Sequence, residues 1–133
     1  MADRIPEQYA DLFGAEKKAI GYVATSMPNG APQLTPVWVD YDGECVVFNT
    51  ALGRIKERNL RQNPMVALVV SDPQNPYRYI QVRGRVELSE EGADAHIDKL
   101  AKKYLGVDKY PCRQTGEVRL IVRITPESVQ TYG

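Results

Sequence analysis

The stretch from Phe48 to Pro64 carries four cations, Arg54, Lys56, Arg58 and Arg61, against one acid, Glu57. Across the whole chain 17 Lys and Arg balance 17 Asp and Glu, so this excess is local. An apolar, strand-like run leads into the stretch and a proline closes it. A strand that hands over to a basic helix start suits a phosphate: free N–H groups and the positive end of the helix dipole meet there. Asn49 or Thr50 is the expected N-cap of a helix over residues 51–62. On a helical wheel Leu52, Ile55 and Leu60 form the apolar stripe, with Arg54, Arg58 and Arg61 opposite. Lys56 and Asn59 fall inside the stripe. A charge turned towards a core needs a partner or a way out. Either an anion supplies that partner, or Lys56 snorkels to solvent. Arg61 then remains a solvated charge or a contact to an acidic cofactor tail.

Self-sufficient catalytic patterns are absent from the sequence. It contains no GxSxG, HExxH or P-loop spacing. Cys45 and Cys112 form no CxxC or zinc pattern, and no metal ligand set can be named. His96, the single histidine, has no second histidine or cysteine near it in sequence and is read as structural. Glu90 and Glu91 open a helix and face solvent. No catalytic residue is identified, so an enzyme built from this chain needs a cofactor to carry the reaction.

The elements that must position the basic stretch can be read from periodicity. Residues 6–18 suit a short helix that covers one end of a sheet, with Tyr9, Leu12 and Phe13 at helical spacing. Strands are expected at 19–26 and 32–41, joined by a Pro28-Asn29-Gly30 turn. On the second strand Gln33 and Thr35 share a face with Val37, and Pro36 marks an edge or a bulge, leaving backbone groups free for a ligand or blocking aggregation. Trp38 lies on the other face and is read as core or interface. A third strand spans 44–48 after the Asp42-Gly43 turn. Residues 66–70 are continuously apolar and read as a strand buried on both faces. The next strand starts at Tyr77, with Tyr77, Tyr79, Gln81 and Arg83 on one face and a bend or bulge at Gly84. A helix follows with Ser89 as N-cap and Gly106 as its C′ residue. Residues 118–124 form a strand that Pro126 interrupts, and 128–132 a short extension. Six or seven strands joined mainly by hairpins, with two main helices, give a mainly β (α+β) antiparallel barrel with helices outside it.

At 133 residues the chain is most simply one domain spanning 1–133. Zero net charge argues against a nucleic-acid partner. No apolar run reaches the roughly 20 residues that cross a membrane. The N-terminus has no apolar signal-peptide region, and reduced cysteines fit a cytoplasmic location.

Four segments resemble the flavin and deazaflavin split β-barrel family related to pyridoxamine 5'-phosphate oxidase, and most closely its branch that uses coenzyme F420. They are residues 30–37 (GAPQLTPV), 50–64 (TALGRIKERNLRQNP), 77–84 (YRYIQVRG) and 100–106 (LAKKYLG). The second is the most specific, and order and spacing agree from about residue 8 onwards. The resemblance implies a split barrel of the FMN-binding type that works as a homodimer, with two sites at the subunit interface. It implies that Arg54 and Lys56 bind the cofactor phosphate, with Asn49, Thr50, Arg58 and Asn59 beside them. Gln33, Leu34, Thr35, Pro36 and Val37 would line the tricyclic ring, and Tyr77 and Tyr79 would bound the ring pocket or the tail. The activity implied is hydride transfer from reduced F420 to a small electrophilic, unsaturated substrate. The alternatives are an FMN-dependent oxidase or reductase on the same fold, or a cofactor-binding protein without turnover.

Overall fold

The computed structural model describes residues 4–133, so the reading of the extreme N-terminus as free of a signal peptide falls partly on residues outside the described ones. A 3₁₀ helix, Glu7–Phe13, precedes seven strands: β1 (Gly21–Ser26), β2 (Pro32–Val37), β3 (Asp40–Tyr41), β4 (Val46–Ala51), β5 (Met65–Asp72), β6 (Asn75–Ser89) and β7 (Arg119–Tyr132). Helix α1 (Ile55–Gln62) lies between β4 and β5, and α2 (Ala93–Leu105) between β6 and β7. All neighbours pair antiparallel, in the order β2-β1-β5-β6-β7-β4-β3. One apolar cluster joins Val23 and Val37 from one end of this order to Val46 and Phe48 from the other. The sheet is therefore curled around this main core, as a split barrel requires, and a smaller cluster of Val47, Ala93 and Ile121 lies apart from it.

Several boundaries differ from the sequence expectation, each for a physical reason. The strand over 32–41 breaks after Val37 and resumes as the short β3. β5 is not buried on both faces but alternates buried and half-buried residues along its length. Its continuous apolar run reflects a second face that is covered in part. β7 runs unbroken through Pro126, which stands opposite Gly84 where the β6–β7 register shifts. The irregular ladder there removes the cost of a missing N–H. Gly84 is required at that crossing, because a side chain would run into the Thr125 carbonyl.

Helix α2 is tied to the far side of the barrel by its last turn. The Tyr104 hydroxyl donates to the Ala19 carbonyl at 2.6 Å and accepts from the Val39 N–H at 3.1 Å. The Lys103 ammonium donates to the Phe13 and Val39 carbonyls at 2.7 and 2.6 Å. Burial lowers the Lys103 ammonium from 10.5 to about 8, with Asp40 opposing and Lys99 reinforcing that shift. Between these two values the unfolded chain holds a proton that the folded chain has released, so stability gains as pH rises through that window. Burial also pushes the Tyr104 phenol from 10.0 up to about 12, which acts in the opposite sense above pH 10. Urea unfolding of the wild type is expected to show the Lys103 gain from about pH 8 upwards, and Lys103→Met to flatten it.

Candidate cofactor site

The basic stretch begins inside β4 rather than at a helix cap. Asn49 and Thr50 are buried strand residues, and Ala51 still pairs with Arg119 of β7. Leu52, Gly53 and Arg54 then form a turn, with Gly53 at a φ of 91°. That positive φ is why the helix starts at Ile55 and not near Ala51. The cap is supplied from inside the helix: Glu57 Oε1 accepts the Gly53 N–H at 2.9 Å, while its Oε2 accepts Arg61 Nε at 2.9 Å. Leu52 and Ile55 are exposed, so they do not form the buried stripe expected of them. The buried side of α1 is Glu57, Asn59 and Leu60. Asn59 Nδ2 donates to Thr25 Oγ1 at 3.0 Å, and Thr25 in turn donates to Gln33 Oε1 at 3.2 Å. These bonds pin α1 to the β1–β2 hairpin and place Lys56 beside β2, where its ammonium donates to Thr35 Oγ1 at 3.0 Å.

A cleft of about 610 Å³ opens beside the start of α1. Its lining includes Pro36 and Val37 of β2, Trp38, Asn49, Arg54 and Lys56. Arg119 lies in the lining although it is only 4% exposed. Its Nε donates to Asn49 Oδ1 at 2.8 Å and its Nη1 to Glu117 Oε1 at 3.0 Å. Its guanidinium sits 5.2 Å from the Tyr110 ring centroid. Arg54 Nη2 lies 3.7 Å from Glu117 Oε2. Burial lowers the Lys56 ammonium, and the charges of Arg54 and Arg119 push it the same way. Arg54 and Arg119 thus share the Glu117 carboxylate while Lys56 meets the neutral Thr35 hydroxyl, and an anion in the cleft would relieve the repulsion among the three cations.

The lining also carries the aromatic side chains of Trp38 and Tyr110. Trp38 stacks on Tyr104 with centroids 5.4 Å apart and meets Tyr110 edge-on at 6.0 Å. A cleft between about 300 and 1,000 Å³ accepts a molecule of cofactor size. A lining that joins cations to aromatic side chains fits a planar ring that carries a phosphate.

The structure brings Pro36, Val37, Asn49, Arg54 and Lys56 together at this cleft, with Thr35 touching Lys56. Gln33 and Asn59 meet through Thr25 behind it. Leu34 points outward at 65% exposure, and Arg58 is exposed on α1. Thr50 is buried, and its hydroxyl has no hydrogen-bond partner. Tyr77 and Tyr79 stand outside the lining: Tyr77 is 76% exposed and Tyr79 stacks on Tyr132 at 5.9 Å. Arg119 and Tyr110 were not anticipated. The available signal was an arginine within the apolar run 118–124, in phase with Ile121.

Among the described residues no group of three metal-ligating side chains forms, and no helix is long and apolar enough to cross a membrane.

The sequence profile of pyridoxamine 5'-phosphate oxidase matches residues 5–133. A solved structure named F420 Reductase is similar at 37% identity and a TM-score of 0.81, covering 95% of this chain and 98% of its own. A conserved hypothetical protein from Mycobacterium tuberculosis is similar at 25% identity and a TM-score of 0.72, over 99% of this chain and 88% of its own. HupZ from Group A Streptococcus shares the fold at 19% identity and a TM-score of 0.68, over 96% and 93%. No curated protein matches the chain.

Proposed function

The chain belongs to the pyridoxamine 5'-phosphate oxidase family, and from that premise we propose that it is an oxidoreductase that uses reduced coenzyme F420 to reduce a small unsaturated electrophile. A flavin or deazaflavin oxidoreductase is the coarser reading that both the family and the 37% identical F420 reductase support. The observation that carries a phosphate-bearing cofactor is that three cations, Arg54, Lys56 and Arg119, line one cleft while only the two arginines share a carboxylate, Glu117; the choice of F420 rests on the 37% identical neighbour.

Lys56 and Arg54 hold the phosphate in this reading. Lys56 is the stronger anchor, because it is half-buried and has no carboxylate partner among the described residues. Asn49, Thr50, Arg58 and Asn59 lie beside them in this reading, and the buried Asn59 acts by fixing α1 through Thr25. Residues 33–37 shape the ring wall, with Pro36 and Val37 facing the cleft. Reduced F420, when bound, supplies a hydride from its ring carbon. The protein orients the ring, excludes water from one face and admits the electrophile beside Trp38.

The site works as part of a homodimer in this reading. Tyr22, Leu34, Leu52 and Ile55 leave an exposed apolar face on β1, β2 and the start of α1. In this reading Tyr77 and Tyr79, which stand outside the lining of their own subunit's cleft, bound the ring or the tail from a second copy. Light scattering after gel filtration is expected to give twice the mass of 14.9 kDa; a monomer at micromolar concentration contradicts it.

The test of the activity follows the absorbance of reduced F420. Its oxidation is expected to accelerate on addition of protein and a small α,β-unsaturated carbonyl compound. No acceleration, together with turnover of reduced FMN, overturns the F420 reading in favour of an FMN enzyme, which the family-level match favours.

A further inference from the structure

We propose that His96 is a positioning residue for the cleft: it fixes the side-chain amide of Asn49, and through it the guanidinium of Arg119. The direction of every bond in this chain can be assigned from chemistry. Arg119 can only donate, so the atom of Asn49 that meets its Nε at 2.8 Å is the oxygen. The Asn49 nitrogen then points the other way and donates to the Ala93 carbonyl at 3.0 Å. Its second hydrogen is directed at His96 Nδ1, 3.1 Å away. An N–H cannot face that donor, so Nδ1 is the bare acceptor and the imidazole proton sits on Nε2. Nε2 is buried, forms no hydrogen bond and lies 3.7 Å from Asp40 Oδ2. Asp40 is held in place by Lys99 Nζ at 2.9 Å and by the Tyr41 N–H at 2.9 Å.

The chain crosses four elements. Asp40 comes from β3, His96 from α2, Asn49 from β4 and Arg119 from β7. Two of its members, Asn49 and Arg119, line the cleft. His96 does not line it and touches no ligand; it acts by accepting the second amide hydrogen of Asn49, the first being held by the Ala93 carbonyl. Without an acceptor at Nδ1 one amide hydrogen of Asn49 is left buried and unpaired, and the amide shifts to find a partner at the expense of its bonds to Ala93 and Arg119. The guanidinium then loses its hold and the phosphate end of the cleft loses a fixed charge. The importance of Arg119 to a ligand rests on the cofactor reading above, whereas the hydrogen-bond chain does not.

Two measurements test this separately. His96 is the single histidine in the sequence, so ¹⁵N-labelled protein gives one imidazole to observe. The neutral wild type is expected to show the Nε2–H tautomer, and Asn49→Leu to release it into a mixture. The second measurement is F420 binding by fluorescence, with FMN alongside. His96→Leu is expected to bind about tenfold more weakly. His96→Gln should stay within about threefold of wild type, because its amide oxygen can accept from Asn49. A bland packing role would not separate Leu from Gln in this way.

An Nδ1–H tautomer in the wild type, or unchanged affinity in His96→Leu, overturns the proposal. Should His96→Leu fail to fold, the wild-type tautomer decides the question. Should the wild type bind neither F420 nor FMN, the cofactor reading falls, and the tautomer still decides the chain from Arg119 to His96.

Discussion

Replacing Lys56 with alanine is expected to weaken cofactor binding by about 1.5–3 kcal/mol, or roughly ten- to a hundredfold in Kd, the worth of a charge-assisted contact to a phosphate. The basis is local. Burial and the neighbouring charges of Arg54 and Arg119 already make the Lys56 ammonium unfavourable in the free protein. Its contact in the chain is the neutral Thr35 hydroxyl at 3.0 Å. A bound anion would gain from that charge, and alanine would forfeit the gain. Stability should not fall in parallel, because alanine also removes the cost of holding an ammonium half-buried. Fluorescence titration and thermal unfolding of the same sample separate the two. Arg54→Ala should do less, since its side chain is 48% exposed and already shares Glu117. Unchanged affinity in both variants would place the anchor elsewhere.

Arg119→Leu has the larger effect on folding, with an expected loss of about 3–5 kcal/mol. Glu117 presents a side chain only 8% exposed, and Arg119 is its closest cation at 3.0 Å. Removing the guanidinium leaves that carboxylate and the Asn49 oxygen short of donors. Arg54, 3.7 Å away, compensates in part and sets the lower end of the range. The double variant Arg119→Leu/Glu117→Leu should recover much of the loss, since replacing a whole buried pair with apolar residues is far cheaper than breaking it. Urea unfolding of the two single variants and the double variant closes the cycle. A single variant as stable as wild type would show that Arg119 is not held as described.

The barrel was legible because strand alternation and turn chemistry survive burial. The Pro28-Asn29-Gly30 and Asp42-Gly43 turns, the Tyr77–Arg83 alternation and the Gly84 bulge all have local causes. The start of α1 was not legible in the same way. Asn49 and Thr50 are good N-cap residues, but the β4–β7 ladder claims them, and the Gly53 turn delays the helix by about one turn. Leu52 and Ile55 suited an inner stripe by type, yet Leu52 falls in the turn before α1, and α1, held by the bond of Asn59 to Thr25, leaves Ile55 exposed. The inward turn of Lys56 and Asn59 could be read from the wheel because it did not depend on where the helix began. Arg119 could not be found that way. Its partners Asn49 and Glu117 lie on different segments, and only the closed sheet brings Asn49 across from β7.

The most direct measurement of the central claim is a paired titration of the purified protein with coenzyme F420 and with FMN, read by fluorescence. Saturable binding of F420, with weak binding of FMN and a colourless protein on purification, is the expected result. A yellow protein that holds FMN tightly, or one that shows no saturable binding of F420, contradicts it.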